Sequence, residues 1–304
     1  MATRKTATSS KSTPKKAATA TAKKTSTRVR TAKAEVTRKT VVNRDWTNNL
    51  ANLMVGEVVG TFVLTIVALY AVQLVAPLYV GLAYAVLVLG IGAVSGAHVN
   101  PAVTFGLWSM RRLKTVLVPF YWVAQLVGAL GAVVVMNLVS GTKLNLSLGH
   151  FTSMDWSFFT LEMIGAAVFL FGLAAVLTRD DIRPSGKALG AGLSLMVGLV
   201  VATSMFAGIS ANVDQSKIKS ETDSKTGEVK YSNIPHAMYV KGATLNPAVA
   251  LADTEKTTSE LTTGQSNKDD TRYSRLSFEV ILGTLVGAAV GGNLYLLLGT
   301  RLRR

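Results

Sequence analysis

The chain has 304 residues, of which 49% are hydrophobic and only 16% are charged, and its formal net charge is +15. A soluble domain of this length carries about a quarter charged residues, so the composition excludes an ordinary soluble enzyme or binding domain. The absence of cysteine excludes disulfides and thiolate metal sites, and the three histidines (His98, His150 and His236) are too scattered to predict a metal centre.

Residues 1–46 are a low-complexity segment with 13 Lys or Arg against Glu35 and Asp45. Such a segment cannot bury enough apolar surface to fold alone. We expect a disordered, basic cytoplasmic tail. Contact with anionic lipid headgroups is a second interpretation, and nucleic-acid binding, which charge alone allows, is a third.

Six later segments are apolar enough to cross a bilayer, which takes about 20 residues per helix. They lie at about 50–74, 78–95, 116–139, 157–178, 187–208 and 277–299. Pro77 marks the break after the first of them. The sequence therefore predicts an all-α membrane protein, with residues 47–304 as its membrane domain.

The charges between the spans predict the orientation. An even number of spans places both termini on one side, and Arg111, Arg112 and Lys114 lie in a loop on that same side. Because basic residues are retained in the cytoplasm, we expect a multi-pass protein of the cell membrane with both termini cytoplasmic.

One eight-residue motif occurs twice, as GAHVNPAV at 96–103 and GATLNPAV at 242–249, identical at six positions. EVVGTF at 57–62 is likewise echoed by EMIGAAVF at 162–169. The chain thus divides into a first repeat, about 50–140, and a second, about 157–300. Each repeat has three spans, so the second must enter the membrane upside down, as in inverted-repeat transport folds.

The repeated motif predicts two half-helices. Residues 99–110 are apolar but too short to cross a bilayer, which favours a re-entrant segment. Asn is a preferred helix N-cap and Pro a preferred first helical residue. The half-helices therefore begin in two Asn-Pro-Ala triplets, which are Asn100, Pro101 and Ala102, and Asn246, Pro247 and Ala248.

Inversion brings the two half-helix N-termini together near the midplane. Their positive dipole ends disfavour cations there, and each Asn amide directs its donors into the lumen. Glu57 and Glu162 lie inside spans at corresponding positions of the two repeats, so we expect them to accept hydrogen bonds from the re-entrant loops. His98 should tie the first loop to its neighbours, and Glu279 should lie at the membrane interface. No catalytic constellation is predicted.

These motifs resemble those of the major intrinsic protein family, the aquaporins and aquaglyceroporins. SGAHVNPAVTFG at 95–106, GATLNPAV at 242–249 and YWVAQLVGA at 121–129 carry the resemblance, which covers about residues 50–300. It implies an aquaporin-like fold of six transmembrane helices and two half-helices. It also implies a homotetramer with a pore in each chain, no cofactor and no metal.

The resemblance fails at one filter position. The family usually has Arg directly after the second Asn-Pro-Ala, and here that residue is Val249. Carried over from the family, the other filter positions fall on Val80 and Ala243 by spacing and on Leu199 by aligning GLSLMVGLVVA at 192–202. The set is therefore apolar, with an Ala–Val pair that resembles the plant tonoplast intrinsic subgroup. Such a filter fits glycerol, urea, ammonia or peroxide as well as water. Lys241 or Arg272 would have to reach back to replace the missing charge.

The stretches 209–241 and 253–275, named the outer loops from here on, are long and rich in polar residues. We expect disordered insertions, with a lid over the pore mouth as the alternative. The leading functional interpretation is a passive channel for water and small neutral solutes. The alternative is a poorly conducting scaffold that acts through its tail and outer loops, and an ion channel is disfavoured because no acidic ring is present.

Overall fold

The computed structural model describes residues 46–72, 74–141, 146–222, 229–265 and 270–302. The predicted tail lies outside the described residues, apart from Trp46. The helices that follow are numbered in chain order. The six long ones are α1 (Trp46–Tyr70), α2 (Ala76–Ser95), α4 (Val118–Ser140), α5 (Trp156–Leu177), α6 (Pro184–Ala211) and α10 (Phe278–Leu302).

All six predicted spans are present as helices long and apolar enough to cross a membrane. Their outward residues are apolar and exposed, as Val86, Leu89 and Leu138 illustrate with exposed fractions of 68%, 62% and 76%. Exposed apolar surface of this extent is stable in contact with lipid and not with water. The chain is a multi-pass membrane protein.

The first span begins and ends about four residues earlier than predicted. α1 ends at Tyr70, and Pro77 lies in the first turn of α2. Proline is tolerated at that position because the first helical N–H groups have no partner within the helix. The proline therefore begins the second helix and does not end the first.

Two short helices interrupt the long ones at equivalent positions. α3 (Pro101–Ser109) follows α2, and α8 (Pro247–Ala252) follows α6. Each is too short to span a bilayer. Apart from the short helices of the outer loops, the order long, long, short, long thus occurs in each half of the described chain, as the inverted-repeat prediction requires.

Glycines allow the long helices to pack closely. A Cβ atom added at Gly81 of α2 would lie 2.8 Å from the carbonyl oxygen of Gly192 in α6. A Cβ added at Gly287 of α10 would collide with the carbonyl oxygen of Met163 in α5, and one at Gly128 of α4 with that of Val58 in α1. Small residues at such crossings let helix backbones approach within the membrane.

The outer loops contain regular structure. Strands β2 (Lys219–Thr222) and β3 (Val229–Ser232) form an antiparallel hairpin. Strand β1 (Leu146–Ser147) pairs in parallel with β4 (Arg272–Tyr273), and two short helices, α7 (His236–Tyr239) and α9 (Thr258–Thr263), lie between these strands. The expectation of disordered insertions is wrong for the described parts of both loops, because backbone pairing and helix caps stabilise them.

Candidate functional site

The two half-helices begin at asparagine caps. The Asn100 side-chain oxygen accepts a hydrogen bond of 2.8 Å from the N–H of Ala102, and the Asn246 oxygen accepts one of 3.0 Å from the N–H of Ala248. The next residue in each case is proline, at the first helical position. Local sequence alone accounts for this geometry, since Asn accepts from the free N–H groups and Pro has none to satisfy.

The asparagine amides also join the two repeats. The Asn100 amide nitrogen donates to the carbonyl oxygen of Leu245 at 2.8 Å, and that of Asn246 donates to Val99 at 3.0 Å. The sequence predicted that both N–H donors of each amide face the lumen. In the structure, one of the two donates to a carbonyl oxygen of the other repeat. A side-chain amide has two N–H groups, so one remains for a molecule beside it.

The residues that accept these bonds adopt an uncommon backbone conformation. Val99 has φ of 43° and Leu245 has φ of 52°, in the left-handed region that branched side chains rarely adopt. Conformations of this kind persist only where surrounding contacts hold them. Both carbonyls are thereby turned toward the opposite repeat.

Two buried glutamates supply those contacts. Glu57 in α1 accepts hydrogen bonds from the N–H groups of His98 at 2.9 Å and Val99 at 2.7 Å. Glu162 in α5 accepts from the N–H groups of Thr244 at 2.9 Å and Leu245 at 2.8 Å. In each repeat the glutamate therefore accepts hydrogen bonds from two consecutive loop N–H groups.

A hydrogen bond and a stacked ring hold the His98 side chain in place. Its Nδ1 atom lies 3.1 Å from the Thr104 hydroxyl, and its ring stacks on Tyr121 with a centroid separation of 4.1 Å. The Tyr121 hydroxyl in turn donates to the carbonyl oxygen of Ser95. These contacts link the first loop to α4 and agree with an anchoring role rather than a free titrating one.

A cavity of about 550 Å³ reaches both capping asparagines. The four residues assigned to the filter from the sequence all line it: Val80, Leu199, Ala243 and Val249. Val80, Leu199 and Val249 are only 8%, 6% and 6% exposed, so their side chains form a confined apolar wall. The structure thus brings the predicted filter positions together with Asn100 and Asn246.

Charged side chains surround the cavity on the side of the outer loops. Lys241, Asp253 and Arg272 all contribute to its lining. The Lys241 ammonium nitrogen lies 3.9 Å from an Asp253 carboxylate oxygen and 3.4 Å from the Thr254 hydroxyl. The two cations were candidates from the sequence, whereas Asp253 was not, since nothing in its spacing relates it to the other filter residues.

A second polar cluster lies in the outer loops. Glu255, 3% exposed, is 2.8 Å from Nδ1 of His150 and 3.0 Å from Nε2 of His236. Burial alone would raise the pKa of Glu255, but hydrogen bonds from His236 and His150 and the charge of Arg275 hold it below its ordinary value. The sequence missed this cluster because residues 105 and 19 positions apart give no periodic signal.

Glu279 lies at the start of the last span, as expected, but the sequence did not predict its burial. It is fully buried at the start of α10, where it accepts a hydrogen bond of 2.6 Å from Arg275 and another of 2.6 Å from the N–H of Asp155. A buried carboxylate needs such a partner. The signal was present in the sequence, since Arg275 and Glu279 are four residues apart, the spacing of a helical ion pair.

The sequence of this chain is similar to those of known proteins. Residues 53–217, which are 165 of the 304 residues, match the family described as major intrinsic protein. Aquaporin NIP2-1 of Zea mays is 34% identical over 172 residues, covering 53% of this chain and 56% of the relative. Aquaporin TIP3-1 of Zea mays is 35% identical over 116 residues, covering 38% of this chain and 43% of the relative.

The chain thus spans about half the length of the curated relatives that it matches. Among solved structures, the aquaglyceroporin from Plasmodium falciparum is 20% identical and has a TM-score of 0.45, covering 84% of this chain and 97% of that one. The family match extends over more than half of the sequence and includes α1 to α6. This chain therefore belongs to the major intrinsic protein family.

Proposed function

We propose that this chain is a passive transmembrane channel for water and small neutral solutes such as glycerol. The observation that carries the proposal is the cavity of about 550 Å³, which reaches Asn100 and Asn246 between apolar walls. Membership of a family whose aquaporins are channels and not enzymes supports it. The chemistry needed is recognition and exclusion, without a bond being made or broken.

The asparagine pair recognises the solute. Each amide retains one N–H after its bond to the other repeat, and both side chains line the cavity. A water or hydroxyl oxygen that reaches this point therefore meets two donors. The positive ends of α3 and α8 act at the same place and oppose the passage of a proton or another cation.

The filter positions determine which neutral solutes pass. Val80, Leu199, Ala243 and Val249 offer apolar surface and no hydrogen-bonding side chain. Glycerol can place its carbon atoms against such a wall while its hydroxyl groups reach the asparagines. Without a long polar side chain at position 249, the filter favours glycerol and solutes of similar size together with water.

Orientation and assembly follow the same proposal. We expect both termini to face the cytoplasm of a cell-membrane protein, because six spans place the termini on one side and the loop with Arg111, Arg112 and Lys114 is predicted on that side. The exposed apolar faces of the long helices contact lipid and the other chains of a homotetramer. The basic tail, which is outside the described residues, contacts anionic lipid headgroups.

Light scattering by proteoliposomes after an osmotic jump tests the proposal. With an impermeant sugar outside, vesicles that contain the full chain should shrink faster than protein-free vesicles. With glycerol outside, they should shrink and then re-swell rapidly. Folded protein that accelerates neither process would contradict the channel and favour the scaffold alternative.

A further inference from the structure

The filter is apolar, yet the cavity above it is not electrically neutral. Among the described residues that line it, Lys241 and Arg272 are cationic and Asp253 is anionic. A monovalent cation entering from this side meets that field before it reaches Val249. The balance of these charges therefore determines how readily a cation enters a filter that has no group to coordinate it.

Lys241 is placed to act on the entering solute. It directly precedes Gly242 and Ala243, which also line the cavity, and follows Val240, which is 1% exposed and fixes the backbone at that point. The Lys241 side chain lines the cavity and is 32% exposed, so it is open to the contents of the cavity. A charge at such a position acts on the pore contents through a low-dielectric surround.

A purely structural role accounts poorly for this geometry. The separation of 3.9 Å between Lys241 and Asp253 is at the outer limit of an ion pair, and their side chains are 32% and 19% exposed. An ion pair this long, with one partner a third exposed, contributes little to stability. Asp253 also keeps its place without the lysine, because its N–H donates to the carbonyl of Val249 at 2.8 Å and its carbonyl accepts from the N–H of Arg275 at 2.9 Å.

We propose that Lys241 is a specificity-determining residue at the outer mouth, where its ammonium group keeps monovalent cations out of the apolar filter. Asp253 opposes this charge, and Arg272 adds a second positive charge to the same cavity. The inference rests on the proposed channel function and adds the residue that enforces neutrality of the solute. The positive ends of α3 and α8 act deeper in the pore, so Lys241 is the first of two successive barriers.

The test measures sodium entry and glycerol entry in the same proteoliposomes at low ionic strength, where surface charge is least screened. Sodium is followed with a trapped indicator dye and glycerol by light scattering. Lys241→Met removes the charge and keeps most of the side-chain volume, and Lys241→Arg keeps the charge. Lys256→Met is the matched control, because Lys256 is an exposed outer-loop lysine that does not line the cavity.

Lys241→Met should admit sodium about fivefold or more faster than the wild type, with glycerol entry changed by less than about twofold. Lys241→Arg and Lys256→Met should match the wild type. Asp253→Asn should lower sodium entry or leave it at the wild-type level, since it removes the opposing charge. Its backbone hydrogen bonds remain, so this variant also serves if Lys241→Met fails to fold.

Several results would overturn the proposal. Equal sodium entry in the wild type and Lys241→Met would do so. Raised sodium entry in both Lys241→Met and Asp253→Asn would show that the pair acts as a brace and not through its charge. Wild-type vesicles that pass no glycerol and no water would contradict the channel function itself, and with it the role of Lys241. Glycerol flux in the wild type, together with sodium entry that Lys241→Met leaves unchanged, would contradict the role of Lys241 but not the channel function.

Discussion

Each re-entrant loop depends on one buried carboxyl group. Glu57 and Glu162 are fully buried, and each accepts hydrogen bonds from two consecutive backbone N–H groups. The loops they hold contain Val99 and Leu245 in left-handed conformations. Without the carboxyl oxygens, the loops would have buried donors without acceptors and a strained backbone without support.

The substitution Glu162→Gln tests this dependence. One side-chain oxygen becomes an NH₂ group that faces a backbone N–H, so one buried donor loses its acceptor. We expect the free energy of unfolding to fall by about 1–3 kcal/mol, measured as a lower melting temperature of the full chain in detergent. Glu221→Gln is the control, because Glu221 is exposed in β2. Equal melting temperatures for Glu162→Gln and the wild type would contradict the account.

Local chemistry explains why the sequence predicted some of these residues. Asn-Pro specifies a cap and a first helical residue within two positions, so the starts of α3 and α8 could be read directly. The cross-repeat hydrogen bonds of Asn100 to Leu245 and of Asn246 to Val99 could not be predicted from the sequence, because they depend on the φ angles of the two loops. A residue's type does not specify such an angle when the residue is Val or Leu.

At the scale of elements, packing depends on glycines where helices cross. Gly287→Ala should destabilise the fold, because the added Cβ would collide with the Met163 carbonyl oxygen in α5, and overpacking costs about 1–3 kcal/mol. Thermal unfolding in detergent measures the loss. Gly90→Ala is the control, since Gly90 lies in α2 with nothing within 4 Å of an added Cβ. Equal losses of stability in both variants would show that the helix crossing is not the cause.

Hydropathy predicts long helices well and the segments between them poorly. A helix in lipid must satisfy its backbone internally, so an apolar run of sufficient length leaves few alternatives, and the six spans follow. The outer loops obey no such constraint. The β1–β4 pairing joins segments distant in the chain, whereas the hairpin and the capping box of Thr257 and Glu260 are local. A polar composition predicts disorder for all three.

At the scale of the whole molecule, the Glu255 cluster joins three segments on the side of the cavity mouth. His150 precedes α5, His236 begins α7, and Glu255 lies just beyond α8 and its C-terminal residue Ala252. Lys241 to Ala243 and Asp253 line the cavity within the segments that this cluster connects. The cluster is therefore placed to hold the mouth of the cavity in one arrangement.

The cluster makes stability depend on pH. The pKa of Glu255 in the folded protein lies below its ordinary value of 4.5, so its contribution is present above that pH and is lost as the pH falls through the folded pKa. Glu255→Gln should lower stability at neutral pH by about 1–3 kcal/mol and flatten the acid limb of the profile. Hydrogen exchange of residues 236–257 between pH 3 and 7 measures this.

Glu221→Gln again provides the control, since an exposed glutamate should leave the profile unchanged. Faster exchange across the outer loops at neutral pH, confined to Glu255→Gln, agrees with the cluster holding the cavity mouth. Identical exchange in Glu255→Gln and the wild type at every pH would mean that the histidine contacts contribute nothing to that arrangement.

In the proposed channel, valine at position 249 leaves the filter apolar and wide enough to admit glycerol. Glycerol re-swelling of proteoliposomes, with the wild type, Val249→Arg and Val229→Arg compared, tests it most directly. Val229 is exposed in β3 and lies away from the cavity, so its arginine adds the same charge without narrowing the filter. Overfilling a confined site costs about 1–3 kcal/mol, and each 1.4 kcal/mol is about tenfold.

We therefore expect rapid glycerol entry in the wild type and Val229→Arg, and entry slower by about tenfold in Val249→Arg. Water permeability should be retained in all three. Wild-type protein that conducts water and excludes glycerol, or Val249→Arg that passes glycerol at the wild-type rate, would contradict the apolar filter.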